Sequence, residues 1–280
     1  KARGFEDGML RDEVYESRYF ITSNPHSVAT VCIDIDSVAL FDFDSGIYVP
    51  GQFWDSENPD WSGNYFQRGD AWEKPATITY FNKLGQEQFS TTVGIRISGN
   101  ASRRVPQKSL KLYFRNEYGQ NDVANLFFPD RQIETYKRLI LRTPFTYWYW
   151  SGGRNMLFQD ALIHRIVWET NANLDVALSK PASVYINGEY WGLQNIRETH
   201  DKFFLEKLTG TDRNDINIVD GTTLIARDGD STQFADLMSF VKNNELTIHD
   251  NYEYVSSKID IDNYIDYYVM QTYFGNKDWP

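Results

Sequence analysis

Apolar and polar residues alternate with a period of two through most of the first two hundred positions. SVATVCIDI (27–35) is a β-branched run and reads as a buried strand. ATITYFN (76–82) and FSTTVGIRISG (89–99) alternate on either side of KLGQE, which predicts a hairpin with a Gly-containing turn. KSLKLYF (108–114) predicts a third strand with Lys108, Leu110, Leu112 and Phe114 on one face. Ser109, Lys111 and Tyr113 fall on the other. RLILRT (138–143) and ASVYIN (182–187) add two strands, and NGEYWG (187–192) turns tightly into GLQNIRE (192–198). Residues 1–22 are also strand-like and read as an end rather than a beginning, followed by the polar connector SNPHS (23–27). Asp36 to Gly51 reads as a loop with a short turn, and 52–71, with Trp54, Trp61, Gly63 and Gly69, as an irregular excursion.

The period changes in the second half. MLFQDALIHRIVWE (156–169) places Leu157, Ala161, His164 and Val167 at helical spacing. TQFADLMSFVKN (232–243) does the same for Phe234, Leu237, Met238 and Val241. DIDNYIDYYVMQTYF (260–274) lines up Ile261, Ile265, Tyr268, Val269 and Thr272, with Asp260 or Asp262 as N-cap. Strands concentrated before about residue 200 and helices after it predict an α+β fold, not a βαβ alternation.

Composition narrows the function classes. A chain of 280 residues with net charge −11 is one or two domains and is not a general nucleic-acid binder, which would need clustered cations. The lone Cys32 excludes a disulfide framework and a multi-Cys metal site. No apolar run reaches the roughly 18 residues of a membrane span. The four histidines are scattered with no HExxH pairing, and no Walker A, GxGxxG or GxSxG is present. Arg68-Gly69-Asp70 is a lone adhesion-type triplet among aromatics.

Three constellations carry candidate chemistry. Arg96, Arg103, Arg104, Lys108 and Lys111 put five cations within sixteen residues of an acidic chain, beside Ser98, Gly99 and Ser102. Such a strand–loop–strand unit suits phosphate oxygens, and it equally suits a solvated hairpin with ordinary ion pairs. Asp278 follows a helix and Gly275 in FGNKDWP (274–280), where a carboxylate can act as a general base or simply cap a turn. Arg197, Glu198, His200 and Asp201 follow a strand, and Glu198 can either pair with a cation such as Lys108 or favour a helix N-terminus. Exposed Trp and Tyr in 53–72 keep sugar stacking open beside core packing.

Read together, these segments resemble the spore coat protein H (CotH) kinase family. GNASRRVPQKSLKLYF (99–114) is similar to its Gly/Ser/Arg loop and Pro-x-Lys-Ser strand. PASVYINGEYWGLQNIRETHDKFFL (181–205) is similar to its strand pair and Glu-containing segment, and IDIDNYIDYYVMQTYFGNKDWP (259–280) to its helix and Gly-Asn-x-Asp-Trp loop. FDFDSGIYVPG (41–51) and NYFQRGDAWEKPA (64–76) are similar to bacterial extracellular members, so the resemblance runs from about residue 25 onwards. It implies an atypical protein-kinase-like fold, β-rich before and helical after. It implies transfer of the ATP γ-phosphate to protein Ser or Thr with Mg or Mn. Carried over residue by residue, Asp278 is the candidate catalytic base and Lys108 the phosphate lysine. Arg103 is the loop arginine, Glu198 the partner of Lys108, and Arg96 a further candidate at the cofactor; the metal ligands are unknown.

The family pattern continues past Asp278 with an Asn and an acidic metal-binding segment. A chain truncated at Pro280 would then lack its metal-side ligands, and the alternative function is an inactive module that binds a partner protein or glycan. Residues 1–24 resemble the closing strands of an immunoglobulin-like module, with residues 25–280 as the CotH domain. That organisation implies an exported bacterial protein, extracellular or at the cell surface, whose signal peptide is not in this sequence. The implied partner is a secreted, coat or surface protein substrate.

Overall fold

The predicted strands close on one another. The computed structural model describes residues 2–6, 9–15, 27–144, 152, 156–221, 223–276 and 279. Strands β1 (Ala2–Glu6) and β2 (Met9–Tyr15) form an antiparallel hairpin. The main sheet starts with β3 (Ala29–Ile35), followed by the short helix α1 (Ser37–Phe41). Next come β4 (Lys74–Phe81), β5 (Glu87–Ser98) and β6 (Ser109–Tyr113). A two-strand ribbon, β7 (Val123–Ala124) and β8 (Thr135–Tyr136), precedes β9 (Arg138–Arg142) and helix α2 (Gln159–Glu169). Strands β10 (Ser179–Ile186) and β11 (Glu189–Arg197) complete a closed barrel in the order β10-β11-β9-β6-β5-β4-β3. The seam β3–β10 is parallel; the other six pairings are antiparallel.

The alternation read from the sequence is the alternation that fills this barrel. Val31 and Ile33, Ile78 and Tyr80, Val93 and Ile95, Leu110 and Leu112, Leu139 and Leu141, and Val184 and Ile186 all point inward and are buried. Closure leaves no free edge, so each strand's backbone is paired on both sides. The β10–β11 turn works because Asn187 and Gly188 both take positive φ, as a two-residue hairpin turn demands.

The remaining elements are α3 (Lys202–Thr209), the small ribbon β12 (Ile218–Val219) with β13 (Ala226–Asp228), and helices α4 (Thr232–Asn243), α5 (His249–Ser256) and α6 (Ile261–Tyr273). Strands dominate before residue 200 and helices after it, so the fold is α+β. Asp201 caps α3 by accepting from the Phe203 and Phe204 amides. Asp260 caps α6 by accepting from Asn263 N.

Two expectations need revision. Residues 37–41 are helical, not loop, because the Asp36 carboxylate accepts from Val38 N and starts a turn. The expected apolar stripe of α6 is turned outward: Ile265, Tyr268 and Val269 are exposed, while Met270 and Phe274 pack on the core. Polar anchors set this rotation. Asp266 accepts from Asn173 N at 2.7 Å, and the Asn263 amide donates to Asn173 O at 2.5 Å. Hydrophobic periodicity alone does not register such anchors.

Leu141 has no solvent exposure and pairs with both Leu110 and Ile196 across the barrel. Leu141→Ala is expected to cost about 2–5 kcal/mol in chemical denaturation, since the paired strands on either side of it cannot collapse onto the void.

Candidate functional site

Strand β6 carries the inward row Leu110, Leu112 and Phe114, and the next inward position before it is Lys108. Its side chain therefore enters the end of the barrel and is only 4% exposed. Lys108 Nζ donates to Val105 O at 3.0 Å and sits 4.1 Å from the Tyr65 ring centroid and 5.3 Å from that of Tyr48. Among the described residues no carboxylate pairs with it. Desolvation lowers its pKa from 10.5 to about 8. A buried, poorly compensated ammonium is unfavourable for folding and favourable for capturing an anion.

The cage over Lys108 comes from the 36–72 excursion. Tyr48 Oη accepts from Lys108 N at 2.8 Å and from Trp191 Nε1 at 3.0 Å, and donates to Pro106 O at 3.2 Å. Neighbouring Gln107 ties the mouth together, donating to Trp191 O at 2.9 Å and accepting from Thr143 Oγ1 at 2.7 Å. Gly192 has φ of +104°, and a Cβ there would lie 2.4 Å from Gln107 Nε2. Gln194, fully buried, donates to Lys108 O at 3.2 Å.

The other predicted cations are committed elsewhere. Arg103 is buried and donates to three backbone carbonyls: Gly99 at 2.7 Å, Tyr65 at 2.8 Å and Gln67 at 3.1 Å. Burial, helped by Arg68, pulls its pKa down to about 10, so it stays charged at neutral pH. Arg103 thus holds Tyr65 over Lys108. Arg96 lies on the outer barrel face, stacked on Tyr113 and bound to Glu73 at 2.7 Å and to Asp70. Its charge is met by those two acids, which argues against a place at the phosphates. Asp70 of the Arg-Gly-Asp triplet is thereby an ion-pair partner on the barrel wall. Lys111 pairs with Asp201 at 3.3 Å and Arg104 with Asp60 at 3.0 Å.

Glu198 does not pair with Lys108. The strand register places Leu110, Leu141 and Ile196 in one inward layer. Lys108 and Gln194 lie one layer to one side, and Glu198 one layer to the other, about 13 Å along the strands at roughly 3.3 Å per residue. At that end Glu198, 1% exposed, accepts from Arg131 Nε at 3.0 Å and Nη2 at 2.8 Å. Tyr136 Oη donates to it at 2.7 Å and Leu178 N at 2.8 Å. Arg131 also donates to Val176 O at 2.5 Å and lies over Trp168, 4.7 Å from the ring centroid. Arg131, Tyr136, Tyr48 and Tyr65 are not marked by any short motif. The one available signal for Arg131 is that a buried glutamate needs a cation.

A second polar cluster joins α2 to the barrel. The Asp160 carboxylate accepts from Arg142 Nε at 2.9 Å and contacts Arg197, which also contacts His164 Nε2. His164 Nδ1 accepts from Ala177 N at 3.2 Å. Desolvation and the Arg197 charge lower the His164 pKa to about 4. Asp278, the candidate base, lies outside the described residues. The helix leading to it ends at Tyr273, and Gly275 takes φ of +58°. Among the described residues no group of three or more His, Cys, Asp or Glu is placed to hold a metal.

A closed barrel whose strand end buries a lysine, followed by a helical half, makes this an α+β protein. A family model described as "CotH kinase protein" matches residues 95–280, well over half of the chain. The chain belongs to the CotH kinase family. It matches none of the curated proteins with which it was compared. The matched span begins inside β5, so β3, β4 and the cage tyrosines lie before it, yet the barrel cannot close without them. Kinase-like families in general use a nucleotide and a divalent metal.

Two outcomes follow from these charges. Because the folded pKa of Lys108 lies below its unfolded value, the penalty is fully present below about pH 8 and disappears as pH rises towards 10.5. Lys108→Met is therefore expected to keep or raise the thermal midpoint at pH 7, by up to a few degrees; a sharp drop would show that the cage needs the ammonium. His164 also has a depressed folded pKa, so its stabilising share is present above about pH 6.5 and lost as pH falls towards 4. Denaturation midpoints measured across that window should slope less in His164→Asn than in the parent chain.

Proposed function

We propose that this chain is a protein kinase domain that transfers the γ-phosphate of ATP to Ser or Thr hydroxyls of a protein, within an exported bacterial protein. The observation that carries this reading is Lys108, a barrel-end cation with no carboxylate partner among the described residues, in a chain of the CotH kinase family. Arg96 is already neutralised and Arg103 spent on carbonyls. That leaves Lys108 as the cation of the 96–111 unit suited to phosphate oxygens, once the Tyr48 and Tyr65 cover shifts aside.

In this reading the acceptor hydroxyl oxygen attacks the γ-phosphorus and the bond to the β,γ-bridging oxygen breaks, releasing ADP. Asp278 accepts the hydroxyl proton, and Lys108 offsets charge on the phosphate oxygens. ATP with Mg²⁺ or Mn²⁺ would be the cofactor set for this transfer. We further propose that residues 1–24 close a preceding immunoglobulin-like module; the antiparallel pairing of β1 and β2 supports their strand character.

Radiolabelled ATP, a generic protein acceptor and either metal ion provide the test. Transfer is expected to fall at least about a hundredfold in Asp278→Asn and in Lys108→Ala. Unchanged transfer in both variants would overturn the assignment of roles, and transfer to carbohydrate rather than protein would overturn the substrate class.

A further inference from the structure

An open apolar cleft of about 470 Å³ lies beside α1, and Phe41 in its lining packs against Tyr48 and Trp191 of the Lys108 cage. Phe41, Phe43, Val49, Pro50, Gly51 and Trp54 line it. Its volume is within the roughly 300–1,000 Å³ usual for ligand pockets. Three of its rings are held out in water: Phe43 is 67% exposed, and Phe41 and Trp54 nearly half. Exposed aromatics grouped around a concavity are a costly surface unless something covers them.

The cleft is built rather than incidental. Asn64 is 1% exposed and stitches its two walls together. Its amide donates to Phe43 O and Gly46 O, both at 3.0 Å, and its carbonyl accepts from Phe53 N at 3.3 Å. Its backbone N–H donates to Pro50 O at 2.7 Å. Gly51 has φ of +56°, and any Cβ there would collide with the Asn64 side chain. The walls are therefore set before a ligand arrives.

Charge identifies the occupant. From Asp36 to Asp60 the sequence has six acids and no Lys, Arg or His. Asp60 pairs with Arg104; among the described residues Asp36, Asp42, Asp44, Asp55 and Glu57 have no cation partner. Asp42 and Asp44 flank Phe43, and Asp55 follows Trp54, so the negative field surrounds the cleft. No charged or amide side chain lines its interior. A sugar would leave its hydroxyls without partners there, whereas an apolar side chain would not.

We propose that this cleft docks a basic protein segment, which seats one aromatic or aliphatic side chain among Phe41, Phe43 and Trp54 and places flanking Lys or Arg residues against Asp42, Asp44 and Asp55. The interaction does not depend on phosphoryl transfer, and every residue in it precedes the matched family span.

Fluorescence anisotropy with a labelled lysine-lysine-tryptophan-lysine-lysine peptide tests the docking on the full chain. Binding is expected to weaken about tenfold or more in Phe43→Ser and in Asp44→Lys, and to fade at high salt. A peptide with glutamates for lysines, and one with alanine for tryptophan, should bind at least about tenfold more weakly. Thermal midpoints of both variants should match the parent, since both side chains face solvent. Absent binding, equal binding of the three peptides, or displacement by a neutral oligosaccharide would each overturn the proposal, the last in favour of a glycan site.

Discussion

A guanidinium and a carboxylate, both withdrawn from water, hold one end of this barrel shut. Arg131 and Glu198 would each be expensive to bury alone, and their mutual attraction offsets that cost only because their other bonds are also satisfied. Glu198 receives Tyr136 Oη and Leu178 N in addition to Arg131, and Arg131 reaches Val176 O and lies on Trp168. The pair thereby joins the 125–136 loop, the entry to β10, the exit of β11 and the face of α2. Remove either ion and four segments lose a common anchor while the other ion is stranded.

The opposite end is organised by the reverse logic. Lys108 is buried with one carbonyl and two aromatic faces instead of a counter-ion, and its neighbours are arranged to hold that state. Tyr48, Gln107 and Gln194 fix the backbone around it, and Arg103 fixes Tyr65 above it. One end satisfies its charges and seals; the other withholds satisfaction from a single charge. Local energetic conflict of this kind is where function concentrates in otherwise consistent structures.

Period-two patterning made the barrel strands legible, because the inward residues of this closed barrel are mostly apolar and every second residue faces out. It also placed Lys108 on the inward face of β6 correctly. What it could not supply was which strand ends meet. The family resemblance pairs Glu198 with Lys108, but two layers of register separate them. Arg131 lies in an irregular loop with no periodicity, so its partnership with Glu198 exists only in three dimensions. The rotation of α6 escaped for the same reason: Asp266 and Asn263 outweigh Ile265 and Val269 through hydrogen bonds to a loop that the helix's own pattern does not mention.

The parallel seam between β3 and β10 has a consequence for how the chain acquires its structure. Across it, Ile35 N donates to the Asn187 side-chain oxygen, 152 positions further along. Closing a loop that long costs conformational entropy before any contact repays it, and folds dominated by such contacts form slowly. During synthesis, β3 to β6 would emerge as an open sheet with β3 as an exposed edge until β10 arrives.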